Sequence, residues 1–192
     1  MKYHELGDSA KEKARAWMVD CVHSDGWCAE WIIEDWKDIL DCLGFYETDI
    51  FWSGFGSQGD GACFVGSWRE KHVRYDKLVE LVGQEKAADY GEFFYKLKLF
   101  RDMGAIQPHY VRLNHRGLYS HENSIHYDLD IPETDSETVP CFEEDFKEAC
   151  RYLMRTIYRQ LEAEYEHQVS EEAIVESIEC NEYDFNDKGE RQ

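Results

Sequence analysis

Hydrophobic residues recur every three or four positions along five stretches of the chain, which is the spacing of one face of an α-helix. The pattern predicts a helix after the capping box Ser9-x-x-Glu12, broken at Asp25-Gly26, and a second helix that ends at Gly44. The other predicted helices cover 86–103, 142–167 and 170–178. The residues predicted to be buried in the second helix are Trp31, Ile32, Trp36, Ile39, Leu40 and Leu43.

Shorter runs with aromatic and β-branched residues lie between these helices and predict strands. The predicted strands are 47–53, 62–68, 107–114 and 121–131, with 183–185 as a possible closing strand. The acidic segment from Pro132 to Pro140 is expected to be a loop inside the domain. We therefore expect a single α+β domain over 1–192, with an antiparallel sheet of four to five strands and helices packed mainly on one face.

Charge is distributed unevenly over these elements. The chain has 41 Asp and Glu against 21 Lys and Arg, a formal net charge of −20, which disfavours direct contact with a nucleic-acid backbone. On the second helix, acids recur opposite the apolar positions at Glu30, Glu34, Asp38 and Asp41. The segment 162–190 has eleven acids and one base, Lys188, and includes Glu171, Glu172 and Glu176. Both regions are candidate surfaces for a basic partner.

Cysteine usage and hydropathy indicate the compartment. Seven scattered cysteines without a CxxC pair, and no apolar leader at the N-terminus, favour a reducing cytoplasm and free thiols. No run of apolar residues approaches the length of a membrane span, so we expect no membrane partner.

Two polar segments between predicted strands are the other candidate site. The first, 51–64, holds four glycines in eight positions, and the second is 115–124. The candidate residues in these loops are Ser53, Ser57, Gln58, Asp60, Cys63, Arg116, Tyr119, Ser120 and His121.

Several interpretations of these loops stay open. The glycine-rich tip could bind an anion through backbone N–H groups, or could be a structural hairpin whose polar side chains satisfy their own backbone. Cys63 with His121 or His115 could form a nucleophile and its base, and His115, His121, His126 and Asp128 could hold a metal. The spacing matches no known metal motif, so we predict no metal, no cofactor and no catalytic residue. The row Lys147, Arg151, Arg155 and Arg159 is expected to be a solvated face paired with Glu148 and Glu162.

Several segments resemble a family of uncharacterised small proteins encoded by phages and prophages, whose members are often labelled antitoxins. The resemblance rests on Ser53-Gly54-Phe55, the octet from Ser57 to Phe64, and His115-Arg116-Gly117 with Tyr119-Ser120-His121-Glu122. The first helix, 158–165 and 181–185 resemble the family as well. It implies an accessory role in a bacterial host cell.

These observations predict an interaction protein of the bacterial cytoplasm rather than an enzyme. We expect it to bind and inhibit a basic, nucleic-acid-handling host protein, in an anti-CRISPR or anti-restriction role and with its acidic helices mimicking nucleic-acid phosphates. One alternative is a metal- or Cys/His-dependent hydrolase or ligand-binding protein that uses the two loops. The other is an antitoxin that binds a cognate toxin.

Overall fold

Six α-helices and four β-strands form the regular structure of the described residues, 1–24, 29–132 and 142–192, in a computed structural model. The helices are α1 (Asp8–Ser24), α2 (Glu30–Cys42), α3 (Tyr75–Val82), α4 (Gln84–Asp102), α5 (Phe142–Gln168) and α6 (Glu171–Cys180). The strands are β1 (Phe45–Ser53), β2 (Gly61–Trp68), β3 (Tyr110–His115) and β4 (Ile125–Asp130). None of the described helices is both long and apolar enough to span a lipid bilayer.

The four strands form one antiparallel sheet in the order β1-β2-β3-β4. A bulge between Tyr46 and Asp49 shifts the β1–β2 register, and Gly66 lies opposite it at a φ of +147°. A Cβ on Gly66 would lie 2.9 Å from the Tyr46 carbonyl oxygen, so only glycine fits there. Strand β2 pairs with β3 through Gly66, Ser67 and Trp68, whereas β3 pairs with β4 along its whole length.

The chain divides into two compact units, and the boundary falls within α5, between Arg159 and Gln160. The unit 30–159 contains the sheet. Its core is built from aromatic side chains of β1, β2, α4 and α5, with ring centroids 5.0–6.2 Å apart, which is typical of buried aromatic pairs. These residues are Phe45, Phe64, Trp68, Phe94 and Phe146. Helices α4 and α5 therefore cover one face of the sheet, and the other face carries the exposed side chains of Arg112 and Asp128.

The second unit consists of 1–29 and 160–192. Its buried core contains Leu6 and Ala14 from the N-terminal segment together with Ile174 and Ile178 of α6. Phe185 is fully buried, and its carbonyl accepts a hydrogen bond of 2.8 Å from the N-terminal ammonium group of Met1. The two ends of the chain thus pack together within this unit.

The structure confirms the α+β class and the antiparallel sheet, and it corrects several details. Ser9 lies inside α1, which begins at Asp8, so it is not the capping residue. Helix α3 is absent from the sequence prediction. The segment 183–185 adds no fifth strand, because Phe185 forms only an isolated bridge with Arg191. Trp31 is 53% exposed and not buried.

The remaining elements agree with the predicted ones, except that β3 and β4 begin three and four residues later than predicted and Glu122–Ser124 forms a 3-10 turn. Helix α5 spans Phe142–Gln168, and α6 begins after Ser170, whose hydroxyl accepts a hydrogen bond from the Ala173 N–H. Gly44 follows α2 with a φ of +97°, as expected for a residue that ends a helix. The predicted break at Asp25-Gly26 and most of the loop from Pro132 to Pro140 lie outside the described residues.

Candidate functional site

The glycine-rich connection between β1 and β2 contacts the hairpin connection between β3 and β4. A Cβ placed on Gly61 would lie 3.0 Å from Cδ2 of His121 and 3.1 Å from the Ser120 carbonyl oxygen. A Cβ on Gly59 would lie 3.4 Å from the Tyr119 ring. Glycines at these positions therefore permit the close approach of the two loops that the sequence analysis singled out.

Asp60 organises the glycine-rich loop. Its Oδ2 atom accepts hydrogen bonds from the backbone N–H of Gly56 at 2.9 Å and of Ser57 at 2.6 Å. These two bonds favour the ionised carboxylate and hold the pKa of Asp60 below its usual value. Gly59 has a φ of +105°, which completes the turn. Asp60 thus satisfies part of the loop backbone, as the structural-hairpin interpretation expects of it, and the N–H groups of Gly56 and Ser57 already have an acceptor.

The hairpin loop is held by its two histidines. Nε2 of His115 donates to the Tyr119 carbonyl oxygen at 3.0 Å, while Nδ1 of His121 accepts from the Asn123 N–H at 3.2 Å. Because Nδ1 of His121 is the acceptor, its neutral ring carries the proton on Nε2. The tip of this loop is open to solvent, since Leu118 is 96% exposed and Tyr119 is 63% exposed.

Helix α5 forms a third wall, and together the three segments enclose a cleft of about 490 Å³. The loops contribute Asp60, Gly61, Ala62, His121 and Glu122, and α5 contributes Met154, Arg155, Tyr158 and Arg159. The Tyr158 hydroxyl donates to the Gly54 carbonyl oxygen at 3.0 Å, which ties α5 to the start of the glycine-rich loop.

The two arginines of the cleft differ in their partners. Arg155 donates to Glu148 and, at 3.0 Å, to Glu122, and these carboxylates raise the pKa of Arg155. Arg159 donates only to neutral oxygens, namely the Arg155 carbonyl at 3.3 Å and the Thr156 hydroxyl at 3.2 Å. Within the described residues no carboxylate forms an ion pair with Arg159, so the predicted pairing with Glu162 is not observed.

Cys63 lies outside this cleft and is fully buried. Desolvation raises the pKa of its thiol to about 11, so the thiol is neutral at physiological pH. The hypothesis that Cys63 is a nucleophile activated by His121 or His115 is therefore contradicted by its environment. The Ser53 hydroxyl is also buried and has no hydrogen-bond partner in the described part of the chain.

The remaining loop residues and histidines do not converge on the cleft. Ser57, Gln58 and Arg116 are exposed. His126 pairs with Asp128 at 2.9 Å on the sheet, in place of the metal site considered above. Across residues 1–24, 29–132 and 142–192, no group of three or more His, Cys, Asp or Glu side chains could hold a metal ion.

The outer face of α2 is the first of the two acidic surfaces. Glu30, Glu34, Asp38 and Asp41 are all exposed, as the spacing predicts. Asp41 forms an ion pair with Arg74, whereas no cation of the described segments pairs with Glu30, Glu34 or Asp38. Trp31 lies one position from Glu30 and three from Glu34, so an exposed indole accompanies the unpaired carboxylates.

The second acidic surface lies on α6. Glu171, Glu172 and Glu176 are exposed there, and Glu171 forms an ion pair of 3.2 Å with Arg15. Glu171 and Glu172 occupy the first turn, where the helix dipole stabilises negative charge. These two acids therefore stabilise α6 through its dipole, as Glu30 does in the first turn of α2, whereas Glu34 and Asp38 lie beyond that turn.

Sequence reasoning missed two features of these surfaces. The expected solvated face paired with Glu148 is observed for Arg151 and Arg155, but sequence reasoning did not foresee that Arg155 and Arg159 also line the cleft. Their spacing of four residues with Tyr158 between them is compatible with one helix face, but only the packing of α5 against two distant loops makes that face a cleft wall. It also placed Trp31 in the core, although Trp31 is 53% exposed and its neighbour Ile32 is buried there.

The chain belongs to a family described as a domain of unknown function, DUF8835, whose model matches residues 27–171. This range contains α2, the whole sheet, both loops and the cleft. No curated protein and no solved structure matches the chain.

Proposed function

We propose that this protein binds and inhibits a basic, nucleic-acid-handling protein of a bacterial host cytoplasm, and that the outer face of α2 is its main contact surface. The observation that carries the proposal is the exposure of Trp31 among Glu30, Glu34 and Asp38, three carboxylates without a cation partner in the described residues.

Exposed tryptophan is unusual on a protein surface, and tryptophan is among the residues most enriched at energetic hot spots of interfaces. The core does not require Trp31, because Ile32, Trp36 and Ile39 already provide the buried side chains of α2. An indole surrounded by acids suits a basic surface with an apolar pocket or an arginine that can stack on the ring.

The acids supply steering and specificity. Glu30 and Asp38 are eight residues apart on a rigid helix, a rise of about 12 Å, with Glu34 midway between them. A regular row of this kind presents negative charge to a basic groove, as a phosphate backbone does. Because its net charge is −20, the protein attracts a basic partner at long range, which accelerates association, and it repels nucleic acid.

A binding role is also favoured over hydrolysis by the state of Cys63, which is buried and neutral. An antitoxin would use the same kind of contact and would differ from the proposed inhibitor in the identity of its partner. The identity of the captured protein therefore distinguishes these two functions.

The test is capture of partners from a bacterial lysate by the tagged protein, followed by purification of the captured protein and measurement of its affinity. We expect a basic nucleic-acid-binding protein that is released by high salt. The variant Glu30→Gln/Glu34→Gln/Asp38→Asn should bind it at least about tenfold more weakly, and Trp31→Ala should lose a similar amount.

A matched control removes the same charge elsewhere. Asp76, Glu80 and Glu85 are exposed on α3 and α4 and form no ion pair within the described residues. Asp76→Asn/Glu80→Gln/Glu85→Gln should therefore retain affinity to within about twofold. Equal losses of affinity in the two triple variants would mean that binding depends on net charge and not on the α2 surface, which would contradict the proposal.

Competition tests the mimicry. Duplex DNA or RNA that binds the captured protein should displace the acidic protein if both occupy one basic groove. Binding that persists when the captured protein is saturated with nucleic acid would contradict the mimicry, and a captured toxin without a nucleic-acid function would favour the antitoxin alternative.

A further inference from the structure

We infer that the cleft between the two loops and α5 binds a small organic anion, with a phosphate or carboxylate group held by Arg159 and His121. The inference is independent of the partner surface on α2, because the two sites share no residue.

The volume and the lining of the cleft are suited to a small ligand. A space of about 490 Å³ falls within the range of ordinary small-molecule sites. Its walls combine the apolar side chains of Ala62 and Met154 with a few convergent polar groups. The hydrogen bond from Tyr158 to Gly54 and the contact of Gly61 with His121 fix the walls before any ligand binds.

Arg159 supplies the positive charge. A guanidinium carries five N–H donors, and the two hydrogen bonds of Arg159 to the Arg155 carbonyl and the Thr156 hydroxyl leave three of them available. Those two bonds hold the side chain without neutralising its charge. Arg155 differs in this respect because Glu122 and Glu148 already neutralise it, so Arg159 is the cation of this cleft that can pair with a ligand.

His121 supplies a second donor. Its Nδ1 atom is occupied as an acceptor by the Asn123 N–H, so the Nε2–H of the neutral ring remains for a ligand. An anion that bridges Arg159 and His121 would receive charge-assisted hydrogen bonds, which are stronger than neutral ones.

Asp60 limits which anions can bind. Its carboxylate lines the same cleft and stays ionised because Gly56 and Ser57 donate to Oδ2. No ion pair joins Asp60 to Arg159, so the two charges face the cleft separately. Asp60 should therefore disfavour polyanions such as di- and triphosphates and favour a ligand with a single phosphate or carboxylate group, or one with a hydroxyl or amino donor near that group.

The experiment is calorimetric titration of the purified protein with four probes: inorganic phosphate, glycerol 3-phosphate, acetate and glycerol. Glycerol lacks the anionic group and should not bind. A phosphate ester that binds while acetate does not would identify a phosphate ligand, and the reverse would identify a carboxylate. Absence of saturable binding for all three anions would overturn the inference.

Three variants locate the binding. Arg159→Gln should weaken the affinity for the binding probe at least about tenfold. His121→Asn keeps an oxygen acceptor near the Asn123 N–H but lacks the ring Nε2–H, which lies farther from the backbone than the amide N–H of the shorter Asn side chain, and should weaken the affinity about threefold. Asp60→Asn removes the repulsion and should strengthen it.

The control is Arg112→Gln, because Arg112 is exposed on the open face of the sheet, outside the cleft, and its loss changes the net charge equally. Its affinity for the probe should remain within about twofold of that of the unaltered protein. Equal losses in Arg159→Gln and Arg112→Gln would mean nonspecific attraction and would overturn the inference. Thermal unfolding of each variant shows whether it is folded.

Discussion

The thiol of Cys63 shows how burial decides the chemistry of a single residue. The side chain lies on β2 within the sheet core, and its pKa of about 11 leaves roughly one thiolate per thousand thiols at pH 8. Burial of this residue follows from its sequence position between Ala62 and Phe64 on a strand. The neighbouring loop histidines suggested reactivity only because a sequence contains no distances.

This environment predicts selective labelling. In the folded protein, a thiol reagent at pH 8 should modify the exposed Cys180 and leave Cys63 unmodified over the same period, because Cys63 is inaccessible and protonated. Peptide mapping by mass spectrometry measures both sites in one sample. In denaturant both should react, which serves as the control. Labelling of Cys63 at the rate of Cys180 in the native protein would contradict the structure.

At the scale of elements, hydrophobic periodicity predicted α5 and α6 and the two hairpins of the sheet well, because each presents a regular apolar face. Helix α3 escaped prediction because it spans only two turns, Tyr75–Val82, and has a single fully buried side chain, Leu78. The prediction placed both Trp31 and Ile32 in the core. Adjacent positions on a helix point about 100° apart, so both cannot lie at the centre of the buried face, and Ile32 is the residue that is buried.

The cleft could be predicted only in part, because its walls come from segments that lie far apart in the sequence. Local pattern indicated two polar loops at the ends of hairpins, and the glycines indicated a close approach. Which surfaces approach each other depends on the β2–β3 pairing through Gly66–Trp68 and on the packing of α5, both of which join residues far apart in the sequence.

Glu70 is a buried link between elements that the sequence pattern does not reveal. It lies in a short 3-10 turn after β2 and is 1% exposed. Its carboxylate accepts a hydrogen bond of 3.1 Å from the His109 N–H, just before β3, and lies 3.6 Å from Nε of Arg101 on α4. One side chain thus joins the exit of β2, the entry of β3 and the end of α4.

We predict that Glu70→Ala lowers the free energy of unfolding by about 3 kcal/mol, because it removes the acceptor that Glu70 offers to the buried His109 N–H and the ion pair with Arg101, which then retains its surface pair with Asp102. Glu70→Gln retains an oxygen acceptor and should lose about half as much. Urea unfolding followed by circular dichroism measures both. Equal losses would mean that the ion pair with Arg101, and not the backbone hydrogen bond, accounts for the stabilisation.

At the scale of the whole molecule, the dominant feature is the imbalance of 41 acids against 21 bases. Several acids already have cation partners on the surface, such as Asp102 with Lys98 and Glu143 with Lys147, and these exposed pairs contribute little stability each. The unpaired excess repels itself in the folded chain more strongly than in the expanded unfolded chain. The same excess that would steer a basic partner therefore lowers the stability of the free protein.

This conflict predicts that moderate salt stabilises the free protein while weakening its complex. Raising NaCl from about 20 mM to about 200 mM shortens the Debye length from about 20 Å to below 10 Å and screens the repulsion between distant acids. The midpoint of thermal unfolding should therefore rise by a few degrees, corresponding to about 1 kcal/mol for a chain of this size. Scanning calorimetry in NaCl and KCl at matched ionic strength measures it, and the two salts should agree because screening depends on ionic strength. An unchanged or lower midpoint would mean that local ion pairs, which salt weakens, contribute more to stability than the net repulsion removes. The excess of acids would then not destabilise the free protein, contrary to the prediction.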